Sequence, residues 1–386
     1  MKQAVIITEN QYPCEDAGAI RQHATAKILE MLGYHVMVVG YGKSTDMRIL
    51  NYDGIDYISC RPKSKNKYFR ALYRATFSSR MMRFVKKKCH NVSLILVADV
   101  FPSSIKKIAR YAKNKDITLV HDSVEWFSPE QFKDGENSKT YQMRNEINTK
   151  LMDRNWRIMA ISSYLEKHFS SRCDKVARVP VIMDVCSIES NLIQKGEHQK
   201  TRFSYVGSPG KKDYLKNIIE GFCLLSDEQK SLVELHIVGV NEHQLKTVCD
   251  VNPESLEQLR GVLTAHGRVP HNEAVRYVRE ADYTLLFRDA SLRYAKAGFP
   301  TKIVESLSCG TPPVCNLSSD LGLYLRDGEN AFIAQDNSPN SICKALEKVL
   351  NSTDEHQAAM RKNARKTAEE LFDYTQYVDT LKELIE

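Results

Sequence analysis

The stretch Ala297-Gly-Phe-Pro-Thr-Lys-Ile-Val-Glu-Ser-Leu-Ser-Cys-Gly-Thr-Pro-Pro-Val-Cys315 reads as a loop, a helix, a turn and a strand in immediate succession. Gly298 frees the loop. Pro300 and Thr301 open the helix, Ile303, Val304 and Leu307 share one face of it, and Gly310 ends it. The unpaired N–H groups at such a helix start form an anion site, and Lys302 stands beside them. A cation near the positive end of a helix dipole costs roughly 0.3–1 kcal/mol. A bound diphosphate reverses that sign. Glu305, one turn in, either accepts hydrogen bonds from ribose hydroxyls or is an ordinary acid of a first helical turn, where the dipole favours it.

The same alternation extends in both directions. Upstream in this half, strands are expected at Phe203–Val206, Leu235–Val238, Leu263–Ala265 and Tyr283–Phe287, and downstream of the helix at Pro313–Cys315 and Ala331–Ala334. Helices are expected over Lys212–Leu225, Asn272–Glu280, Lys302–Ser308 and Pro339–Asn351. The first half repeats the pattern with strands at Ala4–Thr8, His35–Val39, Asp56–Ser59, Ser93–Ala98, Thr118–Val120 and Arg157–Ile161. Such alternation gives mostly parallel sheets covered by helices. A chain of 386 residues suits two such domains. The expected division is 1–186, a polar linker at 187–202, 203–371, and an amphipathic C-terminal helix at 372–386 that packs back on the first domain.

Composition narrows the classes. No apolar run approaches the roughly 18 residues that span a bilayer, and MKQAVIITEN reads as a first buried strand rather than a leader. The ten cysteines form no Cys-x-x-Cys pair, which favours reduced core thiols and a cytoplasmic setting. From Arg61 to Lys88 there are eleven Lys/Arg and no Asp/Glu, interleaved with aromatic and aliphatic residues. This segment (61–88) suits an anionic membrane surface, or is a solvated basic face over a helical core. The absence of a stacking motif and of a second basic patch argues against nucleic acid.

The assembled string Glu305-Ser-Leu-Ser-Cys-Gly-Thr-Pro312 resembles the signature of glycosyltransferase family 4, a GT-B family. Other landmarks keep the family's order. They are Tyr205-Val-Gly-Ser-Pro-Gly-Lys-Lys-Asp213, Leu235-His-Ile-Val-Gly239, His266-Gly-Arg-Val-Pro270, Ile161-Ser-Ser-Tyr-Leu165 and Val179-Pro-Val-Ile-Met-Asp184. The resemblance implies a GT-B fold, two Rossmann-like domains facing across a cleft, and a retaining transferase acting through a nucleotide-diphosphate sugar (UDP or GDP) as co-substrate, with no other cofactor. By the same resemblance, Glu305 binds the ribose, Lys212 neutralises the diphosphate, and Gly298, Phe299, Pro300 and Thr301 line the sugar and phosphate with backbone groups. Gly207 lets the chain approach the phosphates. The family's arginine after that glycine is Ser208 here, which shifts the clamp toward Lys212, Lys211 or Lys302. The first of the family's two spaced glutamates is Ala297, and Arg288, Asp289 or Arg293 are candidate substitutes.

In the first half, the resemblance implies that the Gly-bearing loop after the first strand approaches donor and acceptor, which makes Gly18 and Arg21 candidates for acceptor contact. His121, in His-Asp-Ser-Val-Glu-Trp126, either meets the acceptor or is a buried histidine bonded to backbone. Glu125 and Trp126 fit a sugar-binding wall, and Trp126 fits a core residue equally. There is no Asp-x-Asp motif, so no metal is expected. The basic segment points to a lipid-linked glycan acceptor, as in cell-surface polysaccharide assembly at the inner membrane face. The competing class is a non-catalytic GT-B partner that binds nucleotide or glycan and supports another transferase, and Ala297 is the feature that favours it.

Overall fold

The computed structural model describes residues 2–13, 16–40, 48–59, 77–190, 200–208 and 212–386. The chain divides into two compact units, Met1–Asp184 with Asp373–Glu386, and Val185–Phe372. The first holds β1 (Gln3–Thr8), β2 (His35–Gly40), β3 (Leu50–Tyr52), β4 (Ile55–Ser59), β5 (Val92–Ala98), β6 (Thr118–Ser123), β7 (Arg157–Ala160) and β8 (Lys175–Arg178). They form one sheet in the order β3-β4-β2-β1-β5-β6-β7-β8. Every pairing is parallel except β3 with β4. The second holds β9 (Thr201–Val206), β10 (Val233–Val238), β11 (Leu263–Gly267), β12 (Tyr283–Leu286), β13 (Pro313–Asn316) and β14 (Phe332–Ala334), in the parallel order β11-β10-β9-β12-β13-β14.

Apolar, β-branched strands make these sheets because both faces are covered. All six residues of β1 are buried, as a strand between helical layers requires. Each fully buried aliphatic side chain contributes about 1.5–3 kcal/mol. In the second unit Phe203, Tyr205, Ile237 and Leu285 from the sheet pack against Ile218, Phe222, Ile342 and Leu346 from the helices Leu215–Cys223 and Pro339–Leu350. After a short turn at Tyr374–Tyr377, the helix Val378–Ile385 places Leu381, Leu384 and Ile385 in the core of the first unit.

The sheets differ from the sequence reading where polarity hides a strand. β3 is exposed along its length and β8 begins and ends on basic residues, so neither shows an apolar run. β6 continues past Val120 through His121, Asp122 and Ser123, which are polar yet buried. The helix expected from Lys212 starts at Leu215. Thr201 and Arg202, expected in the linker, open β9, and residues 191–199 lie outside the described residues.

Residues 61–76 of the basic segment also lie outside the described residues. Its remainder lies in the helix Phe77–Lys88, which buries Met81, Met82, Phe84 and Val85 and exposes Arg83, Lys86, Lys87 and Lys88. The neighbouring helix Pro102–Lys113 exposes Lys106, Lys107, Arg110 and Lys113. Between the two helices runs a groove of about 540 Å³ lined by Arg83, Lys86, Lys87, Lys107 and Arg110. No described helix is long and apolar enough to cross a membrane.

Candidate functional site

In the second unit the carboxyl ends of β9, β10 and β12 meet the start of the helix Thr301–Ser308. Two glycines allow the approach. Gly207 has φ +141, and a β-carbon there would lie 2.3 Å from Lys302 Cε and 2.6 Å from Nζ. Gly239 has φ +111, and a β-carbon there would lie 2.2 Å from the Gly207 carbonyl oxygen. The helix is fastened to the sheet by buried hydroxyls. Ser306 Oγ donates to the Thr311 carbonyl at 2.6 Å and lies 2.5 Å from Thr284 Oγ1. Pro300 gives this helix no side-chain cap, and within its first turn the Ile303 N–H donates to the Pro300 carbonyl at 3.0 Å.

Lys302 Nζ donates to the Tyr205 hydroxyl at 2.7 Å and to Asp213 Oδ2. Asp213 accepts two further hydrogen bonds, from the Tyr205 hydroxyl at 2.8 Å and from Arg288 Nε at 2.9 Å. Arg288 is itself fixed at the backbone by Asn316, which accepts from its N–H at 2.9 Å and donates to its carbonyl at 2.8 Å. Burial alone would raise the Asp213 carboxyl, but Lys302, Arg288 and the hydrogen bonds outweigh it and hold it below the usual carboxylate range. Burial lowers Lys302, and Asp213 opposes that effect.

Glu305 is half-buried, and its carboxyl makes no hydrogen bond among the described residues. Burial pushes it up to about 7, with Lys302 only partly opposing. A carboxyl partly withdrawn from water and without a protein donor gains from any ligand donor that reaches it.

The other candidates of this unit are placed as follows. Lys212 lies in the loop before the helix, its carbonyl accepting from the Tyr294 hydroxyl at 3.0 Å. Ser208 is exposed, and Lys211 lies outside the described residues. Gly298 follows the helix Arg293–Ala297, with Arg293 at its first position. The Phe299 ring is committed to Tyr324 and Phe372, 5.6 and 5.8 Å away between centroids, so only its backbone faces the loop.

In the first unit a cavity of about 210 Å³ is lined by Asn10, Gly18, Asp99, His121, Glu125 and Asn148, among others. A β-carbon on Gly18 would lie 2.1 Å from Asn10 Nδ2. Burial holds the His121 ring neutral, down at about 4, despite a hydrogen bond to the Val97 carbonyl. Its Nδ1 and the Asn148 Oδ1 are buried without a hydrogen-bond partner among the described residues. Arg144, also in the lining, pairs with Asp99 and lies 5.6 Å from the ring centroids of both Phe101 and Phe127.

Two acceptor candidates are reassigned by their contacts. Arg21 is buried, with Nε and Nη2 on Asp122 at 2.9–3.1 Å and further donors on the Val179 and Pro180 carbonyls. It ties the helix Ala17–Met31 to β6, with four of its five N–H groups engaged inside the fold. Trp126 donates from Nε1 to Asn145 Oδ1 at 2.7 Å and packs 4.3 Å from His168. It braces helices beside the cavity and does not line it.

Residues 188–367 match the model of the family described as glycosyl transferases group 1. An uncharacterized glycosyltransferase of Methanocaldococcus jannaschii is 22% identical over 293 residues, 72% of this chain and 69% of that protein. Sucrose-phosphate synthase from Thermosynechococcus elongatus gives a TM-score of 0.75 at 13% identity, covering 99% of this chain and 98% of that one. Anabaena HepE, solved in complex with UDP and glucose, gives 0.68 at 13% identity with the same coverage. At such identities the likeness shows the fold, which is GT-B with two Rossmann-like domains.

Within the second unit, sequence reasoning quoted Asp213 only as the end of a motif and did not single out Tyr205 or Asn316. In the first domain it missed Asn10, Asp99, Arg144 and Asn148. Motif spacing gives little sign of these, because partners such as Arg288 for Asp213 and Asp99 for Arg144 lie far away in the chain.

Proposed function

We propose that this chain is a retaining, metal-independent glycosyltransferase that moves a sugar from a UDP- or GDP-sugar to a hydroxyl acceptor. The observation that carries it is the arrangement around Gly207: Lys302 Nζ seated against the glycine, a helix start beside it, and Glu305 unpaired one turn in. Breaking the bond between the anomeric carbon and the phosphate oxygen leaves charge on the diphosphate. Lys302, Lys212 and the first-turn N–H groups stabilise that charge more in the transition state than in the ground state. The acceptor oxygen forms its bond to the anomeric carbon on the face the phosphate leaves, and its proton passes to the departing phosphate oxygen. Glu305 takes hydrogen bonds from the ribose. His121 and Glu125, at the cavity of the first domain, meet the acceptor or the sugar being transferred. The solved complex of Anabaena HepE with UDP and glucose supports a UDP-sugar donor.

The acceptor of this proposal is a lipid-linked glycan in cell-surface polysaccharide biosynthesis. The groove lined by Arg83, Lys86, Lys87, Lys107 and Arg110 supports it, because a surface of one sign attracts anionic headgroups by about 1 kcal/mol per residue. Incubation with UDP- and GDP-sugars, lipid-linked glycans and a chelator tests the reading. A product with the donor's anomeric configuration supports it. An inverted product or a metal requirement defeats the mechanism, and no turnover with any donor favours the non-catalytic partner that Ala297 suggests. Sedimentation with anionic liposomes at low salt tests the membrane component, which fails if the protein stays in the supernatant.

A further inference from the structure

We propose that Asp213 is a positioning residue that ties Lys302 and Arg288 into one anion clamp over Gly207. The inference rests on the donor-site reading and goes beyond it to the group that builds the site. Three donors from three elements converge on this one buried carboxylate: Tyr205 from β9, Arg288 from the end of β12, and Lys302 from the helix Thr301–Ser308. Its side chain is only 3% exposed, whereas Lys302 keeps 26% and Arg288 13% of theirs. The acid is sealed inside while its two cations reach the surface of the site. Lys302 thereby stands where Ser208 offers no charge, and the space for it exists because residue 207 has no side chain.

Two cations side by side repel each other, and each loses hydration on burial. Asp213 offsets both effects and fixes their geometry through separate oxygens, Oδ1 for Arg288 and Oδ2 for Lys302. The groups facing Lys302 are Asp213, Arg288, Glu305 and the Tyr205 hydroxyl. Removing the acid adds net positive charge to the site. If charge alone mattered, a diphosphate would bind more tightly to Asp213→Asn. With Asp213 as the positioning residue it binds more weakly, because Lys302 is no longer held in place or kept cationic.

The test follows Lys302 directly in the full chain. Lysines are reductively methylated with carbon-13 and followed by NMR between about pH 7 and pH 11, with the Lys302 signal assigned by its loss in Lys302→Arg. Asp213→Asn should lower the Lys302 titration by about one pH unit or more, and Arg288→Gln, which removes the competing cation, should raise it. UDP titration of the same proteins should show about a tenfold or greater loss in Asp213→Asn at pH 9, rescued when Lys302→Arg is added. An unchanged Lys302 titration in both variants, or equal or tighter UDP binding by Asp213→Asn, overturns the clamp. Should Asp213→Asn not fold, the Arg288→Gln arm decides alone. Wild type that binds no nucleotide, while the two variants show the predicted Lys302 shifts, would defeat the donor reading and leave the clamp standing.

Discussion

Lys302 Nζ lies 2.6 Å from where a β-carbon on Gly207 would stand, so the lysine occupies the space of the missing side chain. A flexible amine can move aside, but φ +141 is a conformation that costs an L-residue on the order of 1–3 kcal/mol. Gly207→Ala is therefore expected to fold with reduced stability and to lose nucleotide affinity by about tenfold or more as Lys302 is displaced. Gly239→Ala should be worse for folding, because its β-carbon meets the Gly207 backbone at 2.2 Å, which cannot swing away. Thermal melts of both variants check the order.

Glu305 sets function against stability. Its carboxyl is pushed up to about 7 by burial, above an unfolded value of about 4.3. Between those values the folded state holds more protons than the unfolded, so stability falls as pH rises and the cost is complete above about 7. Glu305→Gln is expected to stabilise the free protein by on the order of 2–3 kcal/mol at pH 8, with little change at pH 4. The same variant should lose nucleotide binding. Urea unfolding at the two pH values measures the first effect.

His121 works the other way in pH. Its ring stays neutral down to about 4, while an unfolded histidine takes up a proton near about 6.5. As pH falls through that window the unfolded state gains protons first, and stability is lost until the window ends. His121→Phe should flatten this part of the stability profile, and an unchanged slope would show that the ring is charged in the fold.

Arg21 and Asp122 are expected to matter for folding and not for acceptor recognition. Removing one partner of a buried, hydrogen-bonded pair costs about 3–5 kcal/mol, and here two backbone carbonyls lose their donor as well. Arg21→Met should lower the melting temperature sharply while residual activity keeps an acceptor KM close to that of the wild type.

What was readable in the chain follows from range. The helix Thr301–Ser308 and strand Pro313–Asn316 showed themselves because their apolar spacing and their Gly and Pro stops are local. β6 was cut short because its last three residues are polar, and the partner that allows Asp122 to be buried, Arg21, lies 101 positions away. Lys302 was legible as a donor-site residue from the helix start. That it would be held by Asp213, 89 positions away, was not. Arg21 and Trp126 had the right chemistry near the right loops, and only the fold shows that the Trp126 N–H and four of the five Arg21 N–H groups are already taken.

The most direct measurement is calorimetric titration of wild type and Glu305→Gln with UDP and with GDP, without added metal. The account predicts that wild type binds one of the two nucleotides and that the variant, though more stable at the same pH, binds it at least about tenfold more weakly. Wild type that binds neither nucleotide, or a variant that binds as tightly as wild type, would contradict it.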